Sequence, residues 1–140
     1  MHYHYDIQGG DFSRAGDASA EMKKTLQRLG IPHEVIKRTA VAMYEAEINM
    51  VVHAGGGEAD IDIDPHAITI VMKDRGPGIA NLDLAMQDGW STAPDIVREL
   101  GFGAGMGLPN MKHNADDLSI VSVPGEGTTV TMTIKIGEAP

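Results

Sequence analysis

Glu45, Asn49 and His53 recur at a spacing of four residues. In a helix, positions i, i+4 and i+8 stack along one face. Ile48, Val51 and Val52 then point elsewhere, toward a core. A carboxylate one turn from a carboxamide, in so apolar a setting, is costly to bury unless it is paired or used. The competing reading is a surface stripe on an amphipathic helix. Two other groups invite a chemical reading. His2 and His4 share one face of a strand and could bind a metal, or could simply be the solvent-facing neighbours of buried tyrosines. Asp60, Asp62 and Asp64 look like calcium ligands, yet they alternate along a strand and lack the central glycine of a calcium loop, so they read as a solvated face.

The totals narrow the field. At 140 residues the chain has the size of one domain, 1–140, and its 42% hydrophobic content is enough for a single core. Aromatics are only 4% against nine methionines, so that core is aliphatic and methionine-rich. With no cysteine there is no disulfide, thiolate metal site or thiol nucleophile. No apolar run approaches the roughly 20 residues that span a bilayer, and the first residues lack the pattern of a signal peptide. A cytoplasmic location is therefore expected. The net charge of −9 is uneven: residues 1–57 carry six Lys/Arg against seven Asp/Glu, and residues 58–140 carry five against thirteen. Such a chain is not built to hold nucleic acid or an anionic membrane by charge. An anionic ligand of the second half would need backbone amides and a metal ion rather than a lysine cluster. Eleven of the seventeen glycines cluster at 55–57, 76–78, 101–107 and 125–127, marking tight turns and close backbone approach.

The elements that must position these groups follow from periodicity. Residues 2–8 alternate Tyr3, Tyr5 and Ile7 against polar residues, as a half-buried strand does. Phe12, Ala15, Ala18, Met22, Leu26 and Leu29 give a helical face over 12–29, capped by Asp11 or Ser13 and stopped by Gly30. Pro32 suits the first turn of a second helix over 33–54, which carries Glu45 and Asn49. Residues 58–64 and 67–73 read as an antiparallel hairpin turning at Pro65-His66. A short helix near 80–87, a long connection over 88–107, a helix from about 108 to 115, and strands over 117–123 and 128–136 complete the chain. Long connections in compact domains are usually functional or mobile. Helices gathered with an antiparallel-rich sheet predict an α+β fold, a two-layer α/β sandwich with the helices on one face.

Four features line up in order: Glu45/Asn49 on a helix, Asp74-x-Gly76-x-Gly78 after a strand, Gly103-x-Gly105-Met106-Gly107 before a helix, and Gly127-Thr128-Thr129 opening the last strand. Together they resemble the Bergerat-fold, or GHKL, ATPases over residues 33 to 136. Within that superfamily the chain is similar to the stand-alone anti-sigma factors and serine-protein kinases of the RsbT and RsbW type. Asp88-Gly89-Trp90-Ser91-Thr92 and Gly105-Met106-Gly107-Leu108-Pro109 point to the RsbT side.

The resemblance implies roles. Asn49 would complete the coordination of Mg²⁺, a hard ion that keeps several waters and takes phosphate oxygens. Glu45 would be the general base for an attacking hydroxyl. Asp74 would accept from the adenine amino group, with Thr128 beside it. Gly76 and Gly78 would let the backbone pass close to the base. Gly103, Gly105, Met106 and Gly107 would wrap the phosphates, helped by the N–H groups of the following helix. His53 reads as a second support or as a helix-end residue. Arg75, Arg98 and Lys112 are the nearest cations for a phosphate or a partner. The region where some relatives place an arginine is Gly103-Ala104 here.

The implied function is an ATP- and Mg²⁺-dependent serine/threonine protein kinase acting on a small STAS-type antagonist in a partner-switching pathway. The alternative is a nucleotide-gated anti-sigma factor that sequesters a sigma factor or another partner without catalysis. Relatives of this branch are often homodimers, and the Tyr3/Tyr5/Ile7 strand or the 12–29 helix would supply that interface.

Overall fold

The computed structural model describes residues 1–10, 12–53, 55–76, 107–123 and 125–137. The elements run β1 (His2–Gln8), a 3-10 turn (Phe12–Arg14), α1 (Asp17–Arg28), α2 (His33–His53), β2 (Gly56–Ile63), β3 (Ala67–Asp74), α3 (Gly107–Asn114), β4 (Asp117–Val123) and β5 (Gly127–Lys135). The five described strands form one sheet in the order β1-β2-β3-β5-β4, and every neighbouring pair is antiparallel. The expected hairpin is β2–β3. Asp64 closes its turn by accepting from His66 N and Ala67 N, which holds its carboxyl below the usual range.

The core lies between the sheet and the helices. Ile7, Ala59, Ile61, Ile68, Ile70, Met72, Met132 and Ile134 face inward from the strands, where Met22, Leu26, Ile36, Met43, Ala46, Met50 and Met111 meet them. Burying each large side chain contributes about 1.5–3 kcal/mol relative to exposure. With so few aromatics, Met22, Met43, Met72, Met111 and Met132 are almost wholly buried and fill the irregular spaces. The α+β sandwich expected from the sequence is therefore present.

The first helix differs from expectation. Gly16 adopts φ +94, which ends the 3-10 turn, so α1 begins at Asp17 rather than near residue 12. Gly16 brings no side chain to cap α1. Glu47 of α2 does so instead: Oε2 accepts from Gly16 N at 3.0 Å and Ala18 N at 3.2 Å, and Oε1 from Ser19 N at 3.0 Å. Glu47 is 2% exposed. A carboxylate at a helix N-terminus gains from both the free N–H groups and the dipole. The second helix begins just after Pro32, whose carbonyl accepts from Ile36 N.

On the outer face of the sheet, His2 and His4 do sit in solvent, but not alone. They pair in register with Asp62 and Asp60 of β2. The hydrogen bond to Asp62 foremost raises the proton affinity of His2, and that to Asp60 raises that of His4.

Candidate functional site

α2 carries Glu45 and Asn49 one turn apart, both half-buried. Arg38 lies two turns earlier on the same face. Its Nε donates to the Asn114 carbonyl at 3.1 Å, and its Nη2 lies 3.1 Å from Asp116 Oδ1. Asn110 Nδ2 in turn donates to Glu45 Oε1 at 3.2 Å. The end of α3 thus meets Arg38 and its first turn meets Glu45, so α3 runs antiparallel to α2. That direction carries the N-terminus of α3, at Gly107, toward the Asn49 end of α2. The carboxamide of Asn49 makes no hydrogen bond among the described residues.

A second cluster forms where β3 ends. Asp74 Oδ1 accepts from Gly76 N at 2.9 Å, an Asx-turn that bends the chain. The same oxygen accepts from Thr128 N at 3.0 Å on β5. Gly127 permits this approach: it adopts φ +132, and a β-carbon there would run into the Asp74 carbonyl. Thr128 is buried and its hydroxyl lies 2.9 Å from that of Ser122. Asp74 Oδ2 accepts nothing from a described residue. The two clusters are joined through Met50, the residue after Asn49. Its methyl packs over Gly57, the strand partner of Asp74.

Glu45, Asn49, Asp74, Gly76, Gly107 and Thr128 are therefore the expected residues that the structure describes. Gly78, Gly103, Gly105, Met106, Arg98, the short helix near 80–87 and most of the 88–107 connection lie outside the described residues, as does the side chain of His53. Lys112 and Arg75 are exposed. Beside Glu45 an open groove runs between α1 and α2, lined by Gly16, Ser19, Lys23, Val41 and Tyr44. Burial, and then the charges of Glu45 and Glu47, raise the Tyr44 phenol above its ordinary range. Sequence reading missed Asn110, which holds Glu45, and Ser122, which holds Thr128. Asn110 carried a weak signal in its place just after Leu108-Pro109; Ser122 carried none beyond strand alternation.

Comparison with known proteins places this geometry. The chain is 35% identical over 97 residues to the serine/threonine-protein kinase RsbT of Bacillus subtilis, spanning 66% of this chain and 67% of that protein. It is 29% identical over 143 residues to the anti-sigma F factor of Bacillus subtilis, covering 95% of this chain and 90% of that one. In the anti-sigma F factor of Bacillus licheniformis, at 35% identity, the match spans 62% of the relative's length. Among solved structures, a chain with RsbU and RsbW domains from Mycobacterium tuberculosis superposes with a TM-score of 0.67 at 17% identity, over 99% of this chain and 33% of that one. A mycobacterial sensor histidine kinase, MprB, gives 0.55 at 18% identity over 96% and 97%. These two likenesses show the fold. The family model described as the histidine kinase-like ATPase domain matches residues 11–134, and the chain belongs to that family.

Proposed function

We propose that the protein is an ATP- and Mg²⁺-dependent serine/threonine protein kinase of a partner-switching pathway. The observation that carries this reading is the pairing on α2 of Glu45, held at one oxygen by Asn110, with an Asn49 carboxamide one turn away that makes no hydrogen bond among the described residues. The residues present fit a nucleotide and its ion. Asn49 offers a hard amide oxygen of the kind Mg²⁺ accepts beside phosphate and water. Asp74 Oδ2, which accepts nothing from a described residue, can accept from an adenine amino group, while Oδ1 is locked by Gly76 and Thr128. Gly78, Gly103, Gly105, Met106 and Gly107 are assigned to the base and phosphates on the strength of the motif alone.

Bound Mg²⁺–ATP supplies a γ-phosphoryl group whose developing charge the ion offsets. The protein does the rest by positioning. Asn110 fixes one oxygen of Glu45, leaving the other to take the proton of a serine or threonine hydroxyl as that hydroxyl attacks. The groove beside Glu45 is the approach for the acceptor protein. The acceptor class proposed is a small STAS-type antagonist.

The similarity to an anti-sigma F factor over 95% of this chain supports a second reading, nucleotide-gated capture of a sigma factor. The two part at Glu45. Nucleotide binding should be lost in Asn49→Ala under both. In Glu45→Ala, binding should persist, and transfer of labelled phosphate to the acceptor should fall by about 10²–10⁴-fold. Unchanged transfer in that variant would remove Glu45 as the base. Partner capture that survives Glu45→Ala, in a wild type that transfers no phosphate, would establish the second reading.

A further inference from the structure

The outer face of β1 and β2 carries a set of groups that the nucleotide reading does not use. Their register places His2 opposite Asp62, His4 opposite Asp60, and Asp6 opposite Glu58. Three consecutive outward pairs of this ladder are all metal-ligating types, and only the last pair, Gln8 and Gly56, is not. The nitrogen, aspartate and glutamate ligand atoms of His4, Asp6 and Glu58 lie within 4.8 Å of one another.

We propose that His4, Asp6 and Glu58 form a binding site for a divalent transition metal of the zinc type, with Asp60 as the residue that positions His4. Two features of the geometry ask for a cation there. First, His4 is flanked by carboxylates at both ring nitrogens: Nδ1 lies 2.8 Å from Asp60 Oδ1, and Nε2 lies 3.2 Å from Asp6 Oδ1. A neutral imidazole has one N–H. When that N–H serves Asp60, Nε2 faces the Asp6 carboxylate across 3.2 Å, a gap that a second ring proton or a metal ion must bridge. Second, Asp6 and Glu58 stand directly across the two strands, where like charges destabilise a sheet. No Lys or Arg forms an ion pair with either among the described residues. Lys73, opposite Glu58 on β3, is exposed and makes no such pair.

A metal at Nε2 answers both. A ligating histidine characteristically donates its other N–H to a carboxylate, which sets the tautomer and ring orientation. The Asp60–His4 hydrogen bond already has that form. Zinc takes imidazole nitrogen at about 2.0–2.1 Å and carboxylate oxygen at about 2.0–2.2 Å. The exposed His4 and Asp6 side chains can close that distance by rotation. The mixed nitrogen and oxygen set favours zinc or nickel over magnesium or calcium, which take oxygen alone. The ion would clamp β1, the edge strand, to β2.

The test uses the full chain purified without a polyhistidine tag and titrated with ZnCl₂ by calorimetry at pH 7.5. Saturable one-site binding is expected, with a matching rise in thermal midpoint. His4→Gln and Glu58→Gln should each weaken binding by at least about tenfold, and Asp60→Asn by about 10–100-fold. Asp62→Asn should leave it within about twofold. Long-range ¹H–¹⁵N spectra should show zinc shifting Nε2 of His4 and not Nδ1. No saturable zinc binding would overturn the proposal and leave a proton-bridged network. Equal binding of CaCl₂ with no effect of His4→Gln would overturn it in favour of a diffuse acidic surface. If a variant's melting curve shows loss of fold, the Nε2 shift in the wild-type protein decides alone.

Discussion

At the scale of the residue, Asp74 shows how one carboxylate divides its work. One oxygen accepts two backbone N–H groups and fixes the junction of β3 with β5, while the other accepts from no described residue. Asp74→Ala should therefore lower both nucleotide affinity and thermal stability, whereas Asn49→Ala should lower affinity alone. Calorimetric titration and melting of the two variants separates them. Thr39 is a different case. It is fully buried, and its hydroxyl has no hydrogen-bond partner among the described residues. An unsatisfied buried polar group costs about 1–3 kcal/mol, and replacement by an apolar group of the same shape is often neutral or better. Thr39→Val should match or exceed the wild-type midpoint in urea; a loss above about 1 kcal/mol would reveal a partner for the hydroxyl. The sequence gives no sign of that hydroxyl's situation, because burial and partners depend on the elements packed around α2.

At the scale of the element, α1 depends on a residue of another helix. Glu47 satisfies three N–H groups at the start of α1 from a buried position on α2. Glu47→Ala leaves those donors unpaired and should cost about 1–3 kcal/mol. That loss should lower the thermal midpoint by a few degrees per kcal/mol. Glu47→Gln should fall between, because its amide nitrogen cannot accept. The same helix is tied at its other end through Arg38 and Asp116. Asp116 accepts from Lys135 N at 2.7 Å, which, with Arg38, lowers its carboxyl below the usual range. A lowered folded value means stability present above the unfolded value of about 3.9 and lost as pH falls through the folded one. Melting between pH 7 and pH 3 should therefore show a shallower acid loss in Asp116→Asn than in the wild type. Identical acid slopes would show that Asp116 is not linked to folding.

At the scale of the molecule, net charge is −9, and the outer face of β1 and β2 holds four carboxylates opposite or beside two histidines. Self-repulsion of this kind is screened by salt, with a Debye length of about 30 Å at 0.01 M and about 10 Å at 0.1 M. The thermal midpoint should rise from 0.01 to 0.3 M NaCl; a fall would mean that attractive pairs such as Arg38–Asp116 dominate. No helix among the described residues is long and apolar enough to cross a membrane. Much of the architecture was legible in the chain itself. Period-two alternation placed all five described strands within two residues of their observed bounds, because each strand has one buried face. The glycine-bearing turns named the family before any coordinate, because close backbone approach leaves little choice of residue type. What periodicity cannot carry is pairing between elements distant in the chain. Glu45 and Glu47 are two residues apart and of one type, yet one stands half-buried against Asn110 of α3 and the other is sealed beneath the start of α1. Local sequence assigns them to different faces; only the packing of α1 and α3 on either side of α2 decides which becomes the candidate base and which the cap. Glu45, which the sequence alone leaves as one member of a helical stripe, takes its setting from Asn110, 65 positions away, because only the packing of α3 on α2 brings the two together.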